Sequence, residues 1–398
     1  MTRKERCPRL RSLIRGLPVL RVLNAANPVI TSLTQDSRSV AIGAVFVAVR
    51  GEKADGHRFI ASAVEQGAGA VVCEALPSPL PDCPVVQVAD SRRAVSALAD
   101  RYYGSPSGRL RVTGITGTDG KTSTTEILRT VLTEAGLPAA SIGTLGYCMG
   151  GRWLDSDLTT PDPVALHSAF RRMLELGITD ACMEVSSHSL VQGRTADVAF
   201  DAAVLTNITR DHLDFHGTRQ DYVRAKRMLF EALAPGTIAV LPAGSKFCRP
   251  FKKATRAEVL TYSMKELADV RGRIVSLGLD GMEIHVRTPM ESYAVRTSLT
   301  GGYNCLNILA AATVAFGFGI GGEVVKEALR GFRGVPGRLE RIRVLGRSDL
   351  PAICVDYAHT PDALDKVLGA LRPLVEGKLI CVIGCGGDRD TTKRPLMG

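Results

Sequence analysis

The sequence predicts an α/β protein with two or three domains. Short apolar runs typical of buried strands alternate with longer amphipathic patterns typical of helices along most of the 398 residues. A chain of this length exceeds what one hydrophobic core usually organises, and Pro/Gly/Ser-rich stretches at 104–108 and 331–337 interrupt the pattern. The most informative stretch is a glycine-rich turn at 112–127, between a predicted strand and a predicted helix.

Residues 1–108 form the first predicted domain, a small α/β unit. Apolar runs at 45–49 and 70–73 predict buried strands with a helix between them. Two polar loops, T-Q-D-S-R-S-V at 34–40 and G-E-K-A-D-G-H-R-F at 51–59, stand beside predicted strands. Each loop fits either a solvated turn or a ligand-facing loop, and the residues alone leave both readings open.

The stretch V-T-G-I-T-G-T-D-G-K-T-S-T-T-E-I at 112–127 predicts a nucleotide-binding loop. In a strand–glycine turn–helix unit, backbone N–H groups and the positive end of the helix dipole converge on a phosphate. Lys121 is predicted to reach the β- and γ-phosphates, and the Thr122 hydroxyl to hold Mg²⁺. Ile115 stands where the commonest pattern has glycine, so the spacing is G-x-x-G-x-x-G-K-T. A glycine turn without a ligand is the alternative reading.

Polar residues follow the predicted strands and helices downstream of this loop. Glu184 ends an apolar run, where a Mg²⁺-binding carboxylate belongs after a phosphate loop, although a lone glutamate is more often structural. His212 and His216 stand four residues apart, but a zinc site would need further ligands that are not evident nearby. Lys226 lies in a predicted helix at 222–233, where sequence physics alone predicts a solvated side chain.

A third α/β unit begins near residue 336. Strands are predicted at 353–356 and 379–383 with a helix at 360–371 between them, and the sequence ends at Gly398. A doubly wound sheet needs more strands than these. This domain is therefore predicted to be incomplete.

Composition and charge narrow the choice of partners. The formal charge of +10 suits an anionic partner. Basic residues are scattered and aromatic residues make up only 5%, which favours a phosphorylated small substrate over nucleic acid. The ten cysteines include no C-x-x-C pair, and the sequence contains no signal peptide or membrane-spanning stretch. We expect a soluble, cytoplasmic, monomeric protein without nucleic-acid or membrane partners.

Six motifs carry a resemblance to a known family. They are G-I-T-G-T-D-G-K-T, M-E-V-S-S-H-S-L-V-Q-G-R, T-N-I-T-R-D-H-L-D-F-H-G, Y-V-R-A-K, V-D-Y-A-H-T-P-D-A-L and G-C-G-G-D-R-D-T-T-K-R-P-L-M-G. In this order and spacing, from about residue 10 to the last residue, they closely resemble the Mur ligases, in particular those that add the third peptide residue in peptidoglycan synthesis. The resemblance implies three domains: an N-terminal UDP-substrate-binding domain (1–108), a central ATP-binding P-loop domain (109–335) and an incomplete, Rossmann-like C-terminal domain (336–398).

The resemblance also implies an ATP-dependent amide ligase of cell wall biogenesis. In this family ATP phosphorylates a carboxylate of the UDP-muramoyl peptide, the amine of an incoming amino acid attacks the acyl phosphate, and phosphate leaves as the amide forms. Arg389, in G-D-R-D, matches a contact to the incoming diamino acid in the diaminopimelate-adding branch. This match favours meso-2,6-diaminopimelate over L-lysine. The cofactors implied are ATP and Mg²⁺.

The resemblance assigns roles residue by residue. The positions that match ATP contacts are Gly117, Thr118, Asp119, Gly120, Lys121, Thr122, Ser123, Asn307, Arg338 and Asp356. Those that match contacts to the UDP-substrate are Gln35, Ser37, Glu52, Lys53, Ala54, Thr159, Thr160, Ser186, Gln192 and Arg194. Those that match catalytic or metal-binding positions are Lys121, Thr122, Glu184, His212 and Lys226. Lys226 matches the family's carbamylated lysine, whose added carboxylate supports a second Mg²⁺ beside His212.

Two departures from the family pattern define the alternatives. Asp119 stands where asparagine is common, and its carboxylate is expected to weaken ATP binding unless a cation or a hydrogen bond compensates. The sequence also ends before the family's D-N-P-R segment, which predicts a C-terminally truncated chain that binds nucleotide and UDP-substrate but ligates poorly. The other rivals are a folylpolyglutamate-synthase-like ligase and, from charge alone, a nucleic-acid-dependent ATPase. The D-S-R unit at 36–38 and the G-C-G-G-D-R-D segment argue against the former.

Overall fold

The protein is divided into two compact units. Unit 1 contains Met1–Arg111, Ser156–Thr179 and Ser186–Ala199, and unit 2 contains Val112–Asp155, Asp180–Val185 and Phe200–Gly398. The computed structural model describes residues 7–51, 54–209, 211–265, 267–342, 351–385 and 393–398. The predicted contacts at Glu52, Lys53 and Arg389 lie outside these residues. The predicted domain boundaries at 108 and 335 stay predictions.

Strands and helices alternate along the chain, as the apolar pattern predicts. The strands are β1 (Val19–Leu23), β2 (Leu33–Thr34), β3 (Val45–Val47), β4 (Ala70–Cys73), β5 (Val85–Val88), β6 (Arg111–Thr116), β7 (Ala139–Gly143), β8 (Gly146–Met149), β9 (Arg152–Leu154), β10 (Asp180–Glu184), β11 (Ala202–Leu205), β12 (Ile238–Pro242), β13 (Glu258–Ser263), β14 (Val270–Gly278), β15 (Gly281–Arg287), β16 (Ser292–Thr297), β17 (Glu340–Ile342) and β18 (Ile353–Val355). The helices are α1 (Leu10–Ile14), α2 (Ile60–Glu65), α3 (Ser91–Tyr102), α4 (Lys121–Glu134), α5 (Pro163–Glu175), α6 (Ser187–Val191), α7 (Leu213–His216), α8 (Arg219–Glu231), α9 (Cys248–Ala254), α10 (Gly302–Gly317), α11 (Gly322–Gly331), α12 (Pro361–Leu371) and α13 (Lys393–Met397).

Unit 1 is built on a sheet with the strand order β1-β5-β4-β3-β2. The strands β2, β3, β4 and β5 run parallel, and β1 pairs antiparallel with β5 at one edge. In β3, Val45 and Val47 belong to one buried apolar cluster and Phe46 to another, so both faces of the strand are covered. A parallel strand buried on both faces reads as a continuous apolar run, which is why 45–49 and 70–73 were recognisable as strands.

Unit 2 is built on a mixed sheet with the strand order β16-β15-β14-β13-β12-β11-β6-β10-β7-β8-β9. The strands β13, β12, β11 and β6 run parallel, whereas β15 with β16 at one end and β8 with β9 at the other are antiparallel. The strand β6 lies between β11 and β10, so its carboxyl end opens at the centre of the sheet. Open α/β sheets bind ligands at such carboxyl ends.

The apolar stretch around 306–316 lies within α10, and almost every face of this helix is buried. Ile308, Leu309 and Val314 belong to the main apolar cluster of unit 2. The prediction of a buried helix here is confirmed. Among the described helices, none is both long and apolar enough to cross a bilayer.

The prediction of a strand at 379–383 is wrong. The structure assigns no strand to these residues, and Ile380 and Val382 are 79% and 94% exposed. An apolar run forms a strand only where a neighbouring strand pairs with its backbone. The described strands near it, β17 and β18, pair antiparallel with each other in a separate two-stranded sheet.

Candidate active site

The phosphate loop, residues 117–120, connects the end of β6 to the first residue of α4. Gly117 and Gly120 have φ angles of 151° and 82°, which glycine adopts far more readily than other residues. A Cβ at Gly117 would also overlap the Thr206 hydroxyl, and a Cβ at Gly120 would overlap Oδ1 of Asn307. Both positions therefore require glycine for two independent reasons. The predicted strand–glycine turn–helix unit is confirmed.

Residues Thr206 and Asn207, just after β11, hold the loop in place. The Asp119 N–H donates to Oδ1 of Asn207 at 3.0 Å, and the Asp119 carbonyl accepts from the Thr206 hydroxyl at 2.6 Å and from Nδ2 of Asn207 at 3.1 Å. Sequence reasoning did not assign this role to either residue. Their role depends on the pairing of β11 with β6, which the sequence pattern alone does not reveal.

Lys121 folds back onto the loop that precedes it. Its Nζ donates to the carbonyls of Gly117 and Thr118 at 3.0 and 2.7 Å. Burial lowers the pKa of Lys121, while the negative charges of Glu184 and Asp119 oppose that shift. The ammonium group thus lies at the loop, where the sequence predicts phosphate oxygens to bind.

Lys226 is buried rather than solvated, which contradicts the expectation from sequence physics alone. Only 2% of the residue is exposed, because Tyr222, Lys226 and Leu229 share the inward face of α8. The Nζ of Lys226 donates to the Gly117 carbonyl at 2.7 Å and lies 4.5 Å from the centroid of the Tyr222 ring. Burial, and secondarily the charge of Lys121, lowers the pKa of Lys226 well below its ordinary value. Two lysines therefore converge on one carbonyl oxygen.

Glu184 ends β10 as a buried carboxylate with 1% exposure. Its Oε1 accepts from the Thr144 N–H at 2.8 Å, and its Oε2 accepts from the Thr144 hydroxyl at 3.3 Å. The carboxylate fits here because Gly143 has no side chain; a Cβ there would overlap Oε1 of Glu184. Its influence on the pKa of Lys121 places this carboxylate in the electrostatic environment of the loop.

His212 stands at the start of α7 with a φ of 51°. Its Nε2 lies 3.3 Å from Oδ2 of Asp211, and its ring centroid lies 6.3 Å from that of Tyr222. Burial lowers the pKa of His212, an effect that Asp211 opposes and that Lys121 and Lys226 reinforce. Within the residues that the structure describes, no three His, Cys, Asp or Glu side chains form a group that could hold a metal ion.

The remaining predicted ATP contacts lie on three other elements, and two of them touch α4. Oδ1 of Asn307 accepts from the Thr124 hydroxyl at 3.4 Å, and Arg338 donates to the Thr122 hydroxyl at 3.2 Å. Asp356 instead accepts from the Leu339 and Ala358 N–H groups at 2.6 and 2.8 Å. The structure thus brings Asn307 and Arg338 to the helix that follows the loop. Ser123 is buried in the first turn of α4.

Unit 1 brings four of the predicted UDP-substrate contacts together: Thr160, Ser186, Gln192 and Arg194, hereafter the Arg194 cluster. The guanidinium of Arg194 donates to the Thr160 carbonyl at 2.8 Å and to Oε1 of Gln192 at 2.5 Å. The Thr160 hydroxyl accepts from the Ser186 N–H at 3.0 Å. These bonds hold the guanidinium plane in one orientation, which suits a carboxylate or phosphate ligand.

The other described UDP-substrate positions are also in unit 1. Gln35 and Ser37 stand on either side of Asp36, whose carboxylate pairs with Arg38 at 2.7 Å. Ala54 is exposed, and Thr159 directly precedes Thr160. Their predicted contacts with a UDP-substrate stay predictions.

The fold and the loop define the chain as a P-loop nucleotide-binding α/β protein. Three family models match it: "Mur ligase family, catalytic domain" over residues 29–103, "Mur ligase middle domain" over 115–315, and "Mur ligase, glutamate ligase domain" over 337–398. The chain belongs to the Mur ligase family, and it has that family's three-domain architecture.

Individual relatives agree with this assignment. A UDP-N-acetylmuramoyl-L-alanyl-D-glutamate–2,6-diaminopimelate ligase of Geobacillus kaustophilus is 42% identical over 396 residues, which cover 98% of this chain and 80% of the relative. A solved structure of an enzyme with the same name has a TM-score of 0.76 and 31% identity, covering 92% of this chain and 75% of that one. The fold is also that of a ligase from Thermotoga maritima solved with ADP, with a TM-score of 0.63, 22% identity, and coverage of 86% and 74%.

Proposed function

We propose that this chain is the ADP-forming amide ligase that joins meso-2,6-diaminopimelate to UDP-N-acetylmuramoyl-L-alanyl-D-glutamate. The observation that carries the proposal is the convergence of Lys121 and Lys226 on the Gly117 carbonyl of the phosphate loop. The names of the relatives that share 98% of the chain support the choice of substrates. Peptidoglycan precursor synthesis in the cytoplasm is the setting that these substrates imply.

The reaction needs two bond exchanges. A carboxylate oxygen of the UDP-substrate attacks the γ-phosphorus of ATP, and ADP leaves with the electrons of the broken P–O bond. The neutral amine of diaminopimelate then attacks the acyl carbon, its proton is lost, and phosphate leaves as the amide forms. Charge develops mainly on phosphoryl oxygens, so the loop N–H groups and Lys121 act by positioning and electrostatic stabilisation. The Arg194 cluster holds the UDP-substrate through its carboxylate or phosphate groups.

Two side chains near the phosphate loop could ligate a magnesium ion, whereas Lys226 in its unmodified form could not. The Thr122 hydroxyl and the Glu184 carboxylate offer the oxygen donors that Mg²⁺ prefers. The ammonium group of Lys226 cannot ligate a cation, so Lys226 fits only as a carbamate, with His212 nearby. When bound, Mg²⁺ neutralises charge on the phosphate oxygens.

Carbamylation of Lys226, which the family resemblance implies, fits the burial of this side chain. Burial lowers the pKa of Lys226 well below its ordinary value and so favours the neutral amine, which can form an N–C bond to CO₂ with release of one proton. The carbamate places a negative charge beside Lys121. A protonated Lys226 would instead place a second positive charge there, and the two lysines would repel each other. We expect a carbamate ¹³C resonance from protein equilibrated with ¹³C-bicarbonate, absent in Lys226→Arg. A spectrum identical for both proteins would exclude the modification at this residue.

The function is tested by phosphate release from the purified chain with Mg-ATP, the UDP-dipeptide and diaminopimelate, omitting each in turn. We expect release to require all three and the product, identified by mass spectrometry, to contain diaminopimelate. Faster ligation of L-lysine would identify the other branch, and binding of both nucleotide and UDP-substrate without ligation would identify a binding-only chain. Turnover stimulated by DNA or RNA and indifferent to the UDP-dipeptide would overturn the proposal. We also expect a monomer by light scattering.

A further inference from the structure

The phosphate loop of this chain contains a carboxylate that faces a lysine from a distant segment. Oδ2 of Asp119 lies 2.7 Å from Nζ of Lys366, which is carried by α12 and stands 247 residues further along the chain. Both side chains are about two-fifths exposed. The Asp119 backbone is fixed separately by Thr206 and Asn207, so the ion pair is the contact that concerns the side chain.

A carboxylate at position 119 is expected to weaken the binding of phosphate groups to the loop. The N–H groups and the lysine of a phosphate loop attract anions, whereas a carboxylate within the same turn repels them. Lys121 interacts electrostatically with Asp119, but its Nζ is bonded to the Gly117 and Thr118 carbonyls. Lys366 is the cation that forms a direct ion pair with Asp119 among the described residues.

The helix that carries Lys366 has its own N-terminal cap and its own buried residues, which are separate from this pair. The Thr360 hydroxyl accepts from the Ala363 N–H at 3.3 Å at the start of α12, and Leu364 and Leu371 are its buried residues. Lys366 is two residues from Leu364 and therefore points away from the buried stripe. Arg338, which donates to Thr122, is a second link between the chain beyond residue 335 and the region of the loop.

We propose that Lys366 is a positioning residue for nucleotide binding. Its ammonium neutralises Asp119, so that the loop accepts the phosphates of ATP, and it ties α12 to the loop. This inference rests on the proposed ATP site and adds a residue from outside the phosphate-loop motif to it. The pair acts as a unit: Lys366 is needed because Asp119 is an aspartate.

A double-mutant cycle tests this dependence. The dissociation constant of a non-hydrolysable ATP analogue is measured for the wild type, Lys366→Ala, Asp119→Asn and the double variant. We expect Lys366→Ala to weaken binding about tenfold at low salt, and by less in 0.5 M salt, where screening is strong. In the Asp119→Asn background, the same substitution should change binding by less than about twofold, because no carboxylate remains to be neutralised.

Lys326→Ala is the matched control. Lys326 is about as exposed as Lys366 and pairs with Glu323 at 2.8 Å on α11, so its loss should leave nucleotide binding unchanged. A second measurement needs no nucleotide: hydrogen exchange of residues 361–371 should accelerate to a similar extent in Lys366→Ala and in Asp119→Asn, and not in Lys326→Ala.

The outcomes separate this inference from the proposed function. If the wild type fails to bind the analogue, the ATP site itself is wrong and the inference fails with it. If the wild type binds, but Lys366→Ala has the same effect with Asp119 and with asparagine at this position, only the inference is overturned. Unchanged hydrogen exchange in α12 would likewise contradict the tie between α12 and the loop.

Discussion

The phosphate loop of unit 2 and the Arg194 cluster of unit 1 are held in place by different kinds of hydrogen bond. The loop is held mostly through its backbone: carbonyl or N–H groups of residues 117–119 are bonded to Asn207, Lys121 and Lys226. The Arg194 cluster is held mostly through side chains, with the guanidinium fixed by the Thr160 carbonyl and the Gln192 amide oxygen.

This difference separates two kinds of site. A backbone site depends on conformation, so the residues that matter are those that permit the turn or fill the space around it. A side-chain site depends on the identity of a few polar groups, and a single substitution removes it without disturbing the chain path. The first three predictions below test that distinction, and a fourth concerns the stability of unit 1; they run from the largest expected effect to the smallest.

Lys121→Ala should have the largest effect on catalysis. It removes the charge that stabilises the phosphoryl group, and we expect kcat to fall about a thousandfold. The measurement is phosphate release with all three substrates, accompanied by circular dichroism to verify the fold. Lys252→Ala, an exposed lysine on α9, is the control and should retain full activity. Retention of more than about a tenth of kcat would mean that the loop backbone alone supplies the stabilisation.

Gly117→Ala should unfold the protein more readily, since the loop tolerates no Cβ there. The added methyl overlaps the Thr206 hydroxyl, and alanine disfavours the positive φ of this position, so the free energy of unfolding should fall by about 3 kcal/mol in urea titrations. Gly136 also has a positive φ, 77°, but no atom lies within 4 Å of its Cβ position. Gly136→Ala should therefore cost only about 1 kcal/mol. Equal losses would show that space around Gly117 is not limiting.

Arg194→Ala should affect one substrate selectively. Loss of the oriented guanidinium should raise the KM for the UDP-dipeptide about fiftyfold and leave the affinity for ATP unchanged. Arg194→Lys should recover little, because an ammonium lacks the planar pair of donors. Arg171→Ala, which removes an exposed pair with Glu175 on α5, should behave like the wild type. A parallel rise in the KM values for the UDP-dipeptide and for ATP would contradict the assignment of Arg194 to the UDP-substrate alone.

His167 should make the stability of unit 1 depend on pH. It is fully buried on α5, 3.5 Å from Oδ1 of Asp100, and burial lowers the pKa of His167 to about 4. Between this value and its ordinary value of 6.5, the unfolded chain binds more protons, so stability falls as pH falls through this window. From pH 6.5 to 5 the loss should be about 2 kcal/mol.

The variant His167→Leu isolates this effect. Burial raises the pKa of Asp100, which acts in the opposite direction in the lower part of the window, so the wild type must be compared with the variant. Urea titrations at pH 7 and pH 5 should show a smaller difference for His167→Leu than for the wild type. Equal differences would mean that His167 does not contribute.

The parts of the molecule that could be predicted from sequence are those with local causes. The loop was predictable because its glycines, lysine and threonine are adjacent in sequence and their conformation follows from residue type. The burial of Lys226 was not predictable from local chemistry, since it depends on which face of α8 turns inward. The hydrogen bonds from Thr206 and Asn207 to the phosphate loop require the pairing of β11 with β6, which is a long-range contact. The predicted strand at 379–383 would likewise need a neighbouring strand to pair with, and the sequence does not show whether one is present.

Unit 1 is assembled from three segments that are separated in sequence, and this affects when it can fold during synthesis. The core helix α3 lies near residue 100, whereas α5, which buries His167 against it, ends at Glu175, and the last segment of the unit ends at Ala199. Domains that are continuous in sequence can fold as they leave the ribosome. Unit 1 cannot complete its packing until about half of the chain has been translated, including β6, α4 and the phosphate loop of the other unit.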